Sequence, residues 1–256
     1  MNLSVRHLHL ACLAPLVAAA MLAGCADDDT PEAGSSTENI VVPLPAGEFV
    51  EAVVINSVRP DGRGLNCTGA LVAPRVVLTA GHCVNAIVTD LPFVRWNVFA
   101  PNAGGQRSAS TRGVSDYVNP DGGVNPDSLD VGAIILDAPI DLPFYPTFAT
   151  SPEPDGTKIR PVGRVRNGVQ TDQIFKGPFP QAVRQSGAFP LAYNTGLTQI
   201  QAGDSGGPNV IEGTHHIIAV NSGSTPLDAG VAKPEQIAAR VDLFASRLQA
   251  IIDENP

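Results

Sequence analysis

The sequence predicts an all-β domain in two strand-rich halves, closed by one helix, and three observations carry that expectation. Short runs rich in Val and Ile recur from residue 40 onward, among them VEAVVINS, RVVLTA, VGAIIL and HHIIAVNS. Gly, Pro, Asn and Asp cut these runs every several residues, which is the punctuation of strands joined by tight turns. The 25 Gly and 23 Pro are spread through the runs rather than massed, so they read as turns and not as a disordered tract. At the C-terminal end, PEQIAARVDLFASRLQAIIDE repeats Ile237, Val241, Phe244, Leu248 and Ile251 at helical spacing, predicting a packing helix over about 235–253.

Ahead of these runs lies a segment that is not counted in the fold. Residues 1–24, MNLSVRHLHLACLAPLVAAAMLAG, carry Arg6 and no acid before an Ala- and Leu-rich stretch, the pattern of a secretory signal. Pro15 interrupts an apolar run shorter than the ~20 residues that span a bilayer. The segment ends in Leu22-Ala23-Gly24-Cys25, which resembles the lipobox of bacterial lipoproteins. That resemblance implies lipidation of Cys25 and a membrane partner reached through a lipid anchor. Each buried CH₂ contributes only about 0.8 kcal/mol, so the several acyl chains it implies are what stable anchoring needs. Ala26, not Asp, follows the cysteine, which favours the outer membrane of a two-membrane cell.

Residues 26–39, ADDDTPEAGSSTEN, are acidic, small and polar, too poor in apolar groups to order themselves. They predict a tether spanning about 20 Å. The formal net charge is −9, and removal of residues 1–24 takes away one base and no acid. An acidic chain without a basic stripe excludes nucleic acid as the expected partner. Of the four cysteines, Cys12 lies in the signal segment and Cys25 is consumed by lipid. Cys67 and Cys83 remain as one pair in an oxidising compartment, beside His82. The Pro-rich stretch 141–156 reads as a connector between a first half at about 40–142 and a second at about 156–232.

Three motifs carry chemistry: LTAGHC with His82, SLDVGAIIL with Asp130, and GDSGGP with Ser205. A six-residue string such as GDSGGP arises by chance on the order of 10⁻⁷ per position at average usage. Peptide hydrolysis requires a nucleophile, a base, a group orienting that base and donors for a developing oxyanion. Each requirement has a candidate here. Asp116, Asp121 and Asp127 compete with Asp130 as the orienting acid. His215 and His216 alternate across a strand, so they do not form a metal site, and no cofactor is expected.

In this order, His, Asp, Ser, the three motifs resemble the chymotrypsin and trypsin family of serine proteases, and the resemblance covers most of residues 40–256. It implies two antiparallel β-barrels with a site in the cleft between them, and a protein or peptide substrate. It assigns Ser205 as nucleophile, His82 as general base and Asp130 as its orienting partner. Asp130, directly before VGAIIL, sits where the family carries that acid. The N–H groups of Gly203 and Ser205 are implied as the oxyanion hole, and Cys67–Cys83 as the disulfide beside the histidine.

Departures from the family bear on specificity and activation. Gln199 stands where trypsin-like enzymes carry an Asp, so an uncharged P1 side chain is expected. Gln201 replaces a usual pocket cysteine. Asn221, Ser222 and Gly223 are read onto the family's pocket-wall strand, with Asn221 near Asp130. Asp204 commonly pairs with a new amino terminus, here Ile40 after cleavage at Asn39, which would also release the domain from its anchor. The competing expectation is an internal cation, with Arg160 as candidate. The chain is expected to act as a monomer. A catalytically silent relative binding a protein partner is the alternative from another class.

Overall fold

A computed structural model describes residues 42–86, 91–118, 124–225 and 234–256. The signal segment, Cys25, the tether, Ile40 and Asp121 lie outside the described residues. Among the described residues are sixteen strands, one 3-10 turn and one helix.

The first sheet contains β2 (Ala52–Val58), β3 (Gly64–Ala73), β4 (Val76–Thr79), β5 (Arg95–Ala100), β6 (Gln106–Ser110), β7 (Arg112–Val114) and β8 (Gly132–Ile135). Its seven strands run in the order β6-β5-β2-β3-β4-β8-β7, paired antiparallel. The ends curl toward one another. Asp137 N donates to Ala109 O at 2.8 Å, and Ser110 Oγ donates to Ile135 O at 2.5 Å.

The second sheet begins with β1 (Leu44–Pro45) and continues through β9 (Lys158–Arg166), β10 (Val169–Lys176), β11 (Gln181–Ala182), β12 (Arg184–Gln185), β13 (Ala192–Leu197), β14 (Pro208–Ile211), β15 (Ile217–Ser224) and β16 (Glu235–Arg240). These nine strands follow the order β1-β10-β9-β14-β15-β16-β13-β12, with β11 on β9. Here too a side chain draws the ends together. Gln181 on β11 donates Nε2 to Leu197 O on β13 and accepts from Thr195 Oγ1.

Both faces of the central strands are buried, and alternation divides them between two cores. On β2, Val53 and Ile55 enter the first barrel with Leu71, Val77, Val98 and Ile134. Val54, between them, faces the other way, into a core shared by both sheets with Leu78, Val162, Val210 and Val220. Leu248 and Ile251 of helix α1 (Ala245–Glu254) join the same core. The apolar runs are therefore continuous rather than alternating.

The C-terminal segment corrects the sequence expectation in one respect. Residues 235–240 form β16, hydrogen-bonded between β13 and β15, and the helix starts only at Ala245. Gln236, Ile237, Ala238 and Ala239 are all buried, so this stretch has no exposed face of the kind an amphipathic helix shows. The second barrel therefore runs to residue 240.

Candidate active site

His82 sits in the 3-10 turn Gly81–Cys83 just after β4. Three groups hold that turn from inside the first barrel. Cys83 O accepts from Trp96 Nε1 at 2.9 Å and from Ser57 Oγ at 3.0 Å, and Cys83 is bonded to Cys67 on β3.

Asp130 lies directly before the buried Val131 and β8, which fixes its position next to β4. Its carboxylate is buried and serves three donors. Oδ2 accepts from His82 Nδ1 at 2.8 Å and from Ser222 Oγ at 2.6 Å. Oδ1 accepts from the His82 backbone N–H at 2.8 Å. A carboxylate only accepts, so Nδ1 carries the imidazole proton and Nε2 keeps its lone pair. Burial disfavours the imidazolium, but the Asp130 charge and hydrogen bond outweigh it and hold His82 above its ordinary value. Tyr117 backs the pair with its ring centroid 6.3 Å from His82, and burial beside Asp130 pushes its phenol up to about 12. Asp116 is engaged elsewhere, paired with Arg247 of α1.

Ser205 reaches the same cleft from the second barrel. Its carbonyl accepts from Thr68 N at 2.8 Å and lies 3.8 Å from Cys83 Sγ, the residue after His82. Ser205 is half-buried. Among the described residues no hydrogen bond joins its hydroxyl to His82; such contacts are often loose until substrate binds. The turn that displays it depends on glycine. Gly206 has φ +79°, and a Cβ there would lie 2.0 Å from Thr79 Oγ1. Gly206 N donates to Asn221 O at 2.7 Å and Gly207 N to Asp204 O at 3.0 Å. The N–H groups of Gly203 and Ser205, by contrast, have no internal acceptor among the described residues.

Asp204 is folded back under this turn. Its Oδ1 accepts from the backbone N–H groups of Arg164 (2.7 Å) and Val165 (2.8 Å) on β9, and Oδ2 from that of Gln201 (2.9 Å). Burial nonetheless pushes its carboxyl up to about 6 against those bonds and the Arg164 charge.

Arg160 is not the cation at Asp204. It pairs with Glu212 at 2.5 Å and donates to Gly177 O, because it lies at the β9 position opposite Val210, close to Glu212. Asp204 lies over Gly163–Val165, about 13 Å further along the strand at the usual rise. Arg164 is the charge nearby. Its buried guanidinium donates to Thr171 O (2.8 Å), Asn56 Oδ1 (3.0 Å) and Asp172 (3.2 Å).

The wall strand is also corrected, by one residue. Ser222, not Asn221, faces Asp130. Asn221 is fully buried on the opposite face of β15, donating Nδ2 to Val162 O (2.8 Å) and Asp204 O (3.1 Å). Its Oδ1 accepts from Asn209 Nδ2 and Gln236 Nε2. This amide cluster underpins the serine turn and does not line a pocket. Gly223 is covered by Val124, whose Cγ2 would lie 2.6 Å from a Cβ at that position. Gln199 donates its backbone N–H to Gln236 Oε1 and its Nε2 to Phe179 O, turning its side chain over Gly177. Beside Asp130 and Ser222 lies a shallow recess, lined in part by Val124, Pro126, Phe189, Leu191 and Ala239.

Thr68, Arg164 and Gln170 hold this site together, and no motif in the sequence marks them. Thr68 follows Cys67 on β3 and donates Oγ1 to Gly203 O at 2.9 Å. Among the described residues, the only cluster of three potential metal ligands is Cys67, His82 and Cys83, and the disulfide occupies both sulfurs.

Two curled antiparallel sheets, one bearing an Asp–His pair and the other a glycine-flanked serine, define a trypsin-like serine protease fold. Residues 46–248 match the family model described as Trypsin, and the chain belongs to that family. Among solved structures it is similar to HL collagenase, with a TM-score of 0.63, 17% identity, and coverage of 82% of this chain and 96% of the collagenase. At that identity the likeness concerns the fold. Comparison with curated proteins returns no match.

Proposed function

We propose that the chain is a serine endopeptidase acting through an acyl-enzyme. The observation that carries this reading is the Asp130–His82–Ser222 arrangement, which leaves His82 Nε2 as acceptor in a cleft shared with Ser205. Ser205 Oγ attacks the scissile carbonyl carbon while its proton passes to Nε2. The carbonyl oxygen becomes an oxyanion received by the N–H groups of Gly203 and Ser205. Collapse expels the amine, which takes the proton from His82 and leaves an ester on Ser205. Water, deprotonated by His82, then hydrolyses that ester.

Gln199 stands where a carboxylate would select Arg or Lys and, turned over Gly177, supplies no anion there, which supports uncharged P1 side chains. Cleavage of a proteome-derived peptide library mainly after Arg or Lys contradicts that preference. The three backbone donors on Asp204 support competence without a new amino terminus, cleavage before Ile40 then serving release alone. Sequencing of active protein that always begins at Ile40 contradicts this. The lipobox supports attachment through Cys25 to the cell envelope, which mass spectrometry of a Cys25→Ser variant tests.

The deciding experiment is labelling by a fluorophosphonate. Folded wild-type protein is expected to label and Ser205→Ala is not. Absence of wild-type labelling favours the alternative, a silent protease-like module that binds a protein partner.

A further inference from the structure

We propose that Gln170 is a positioning residue that fixes the direction of the Gly203 N–H, and that Asn66 braces it from the other barrel. This rests on the reading of Gly203 as an oxyanion donor.

The N–H of Gly203 and the C=O of Ala202 belong to one planar trans peptide, so they point in opposite directions. Whatever holds the carbonyl therefore aims the N–H. Gln170, at the start of β10, donates Nε2 to Ala202 O at 3.0 Å. Its Cγ and Nε2 also lie against Gly203, where a Cβ would stand 3.0 Å from each.

The peptide needs such a hold because Gly203, at φ +114°, has the conformational freedom of glycine. An unrestrained peptide there can rotate its N–H out of the cleft at little cost. Thr68 Oγ1 fixes the far side of Gly203 through its carbonyl, at 2.9 Å. Gln170 fixes the near side.

The orientation of the Gln170 amide is determined by its two neighbours. Ala202 O can only accept, so it faces the NH₂ group, which leaves Oε1 for another donor. Asn66 Nδ2 supplies that donor at 2.5 Å. Asn66 and Thr68 are two residues apart on β3 and share a face. One face of a first-barrel strand thus reaches across the cleft and, through Gln170 and directly, sets both peptides flanking Gly203.

Gln170 is exposed, so its replacement leaves the cores untouched and the variants are expected to fold. Gln170→Leu removes donor and acceptor. Gln170→Glu keeps the acceptor for Asn66 but cannot donate to Ala202 O when ionised. Both are expected to lower kcat about 5- to 30-fold with KM within about twofold, less than the 10²- to 10³-fold loss of an oxyanion donor itself. Affinity for a peptide aldehyde, whose hemiacetal oxygen occupies the oxyanion position, should fall by the same factor in each variant. Asn66→Ala should give a smaller loss that vanishes in the Gln170→Leu background. A merely structural role would leave the aldehyde affinity and that non-additivity unmoved. If wild-type protein reacts with a fluorophosphonate and both Gln170 variants keep wild-type kcat and aldehyde affinity, this proposal alone fails. If wild-type protein does not react, the protease reading fails and takes this proposal with it.

Discussion

Ser222 on β15 and His82 on the opposite barrel bind the same oxygen of Asp130, at 2.6 Å and 2.8 Å. The carboxylate is thereby held between the two sheets, and its charge is aimed at one imidazole nitrogen. The consequence is a histidine that holds its proton above the ordinary value of 6.5.

The acid limb of kcat/KM should therefore lie above 6.5, because activity requires neutral His82 and its folded pKa is raised. The same shift has a stability sign. A base with a raised folded pKa contributes stability that is complete below its unfolded value and is lost as pH rises through the raised one. Asp130→Asn removes the charge and should move the limb downward, together with a loss on the order of 10⁴ in kcat. A wild-type limb below 6.5 would show that burial, not Asp130, governs His82.

Asp204 gives a second test of the same sign, on a carboxyl rather than a base. Its folded pKa is about 6 against 3.8 for an ordinary Asp. Its contribution to stability is complete below 3.8 and is lost as pH rises through about 6. That gap corresponds to about 3 kcal/mol. Asp204→Asn should flatten the fall in wild-type stability over that window in urea titrations. It should also slow turnover, since Nδ2 of the new amide would face the Gln201 N–H. A parallel pH dependence in the two proteins would remove Asp204 from the account.

Much of this arrangement is legible in the chain, and the failures have identifiable causes. Val53–Ile55 and Val131–Ile135 announce strands because residues buried on both faces must be apolar. The same double burial misleads at Gln236–Ala239, where Ile237 falls in helical register with Val241 and Phe244 while the stretch also fits a strand. Ser222 rather than Asn221 meets Asp130, because a shift of one residue inverts the face of every side chain. Thr68, Arg164 and Gln170 act through contacts 135, 40 and 32 residues distant in the chain, and no local pattern records such separations.

The buried amides beneath the serine turn should show strong context dependence. Asn221→Ala strips donors from Val162 O and Asp204 O, leaves Asn209 Nδ2 without its acceptor and leaves Gln236 Nε2 only the longer bond to Asn209 Oδ1. A loss of about 2–4 kcal/mol is expected in denaturant titration. Replacing Asn209, Asn221 and Gln236 together with Val, Val and Leu should recover part of that loss, since apolar groups leave no unsatisfied side-chain partner. Additive losses across the three positions would contradict this.

The Cys67–Cys83 bond adjoins His82 without being its sole support. Joining residues 16 apart contributes roughly 3 kcal/mol in the chain-entropy model. The turn bearing His82 is also fixed through Cys83 O by Trp96 and Ser57, and through the His82 N–H by Asp130. Replacing both cysteines with Ala should therefore lower the urea midpoint while kcat, measured well below melting, stays within about threefold, as expected where the remaining hydrogen bonds suffice for position. Trp96→Phe in that background removes one of the two remaining anchors to Cys83 O and should then reduce kcat more than it does with the disulfide intact. A hundredfold loss of kcat in the folded double-Ala protein would mean instead that the disulfide itself positions the imidazole.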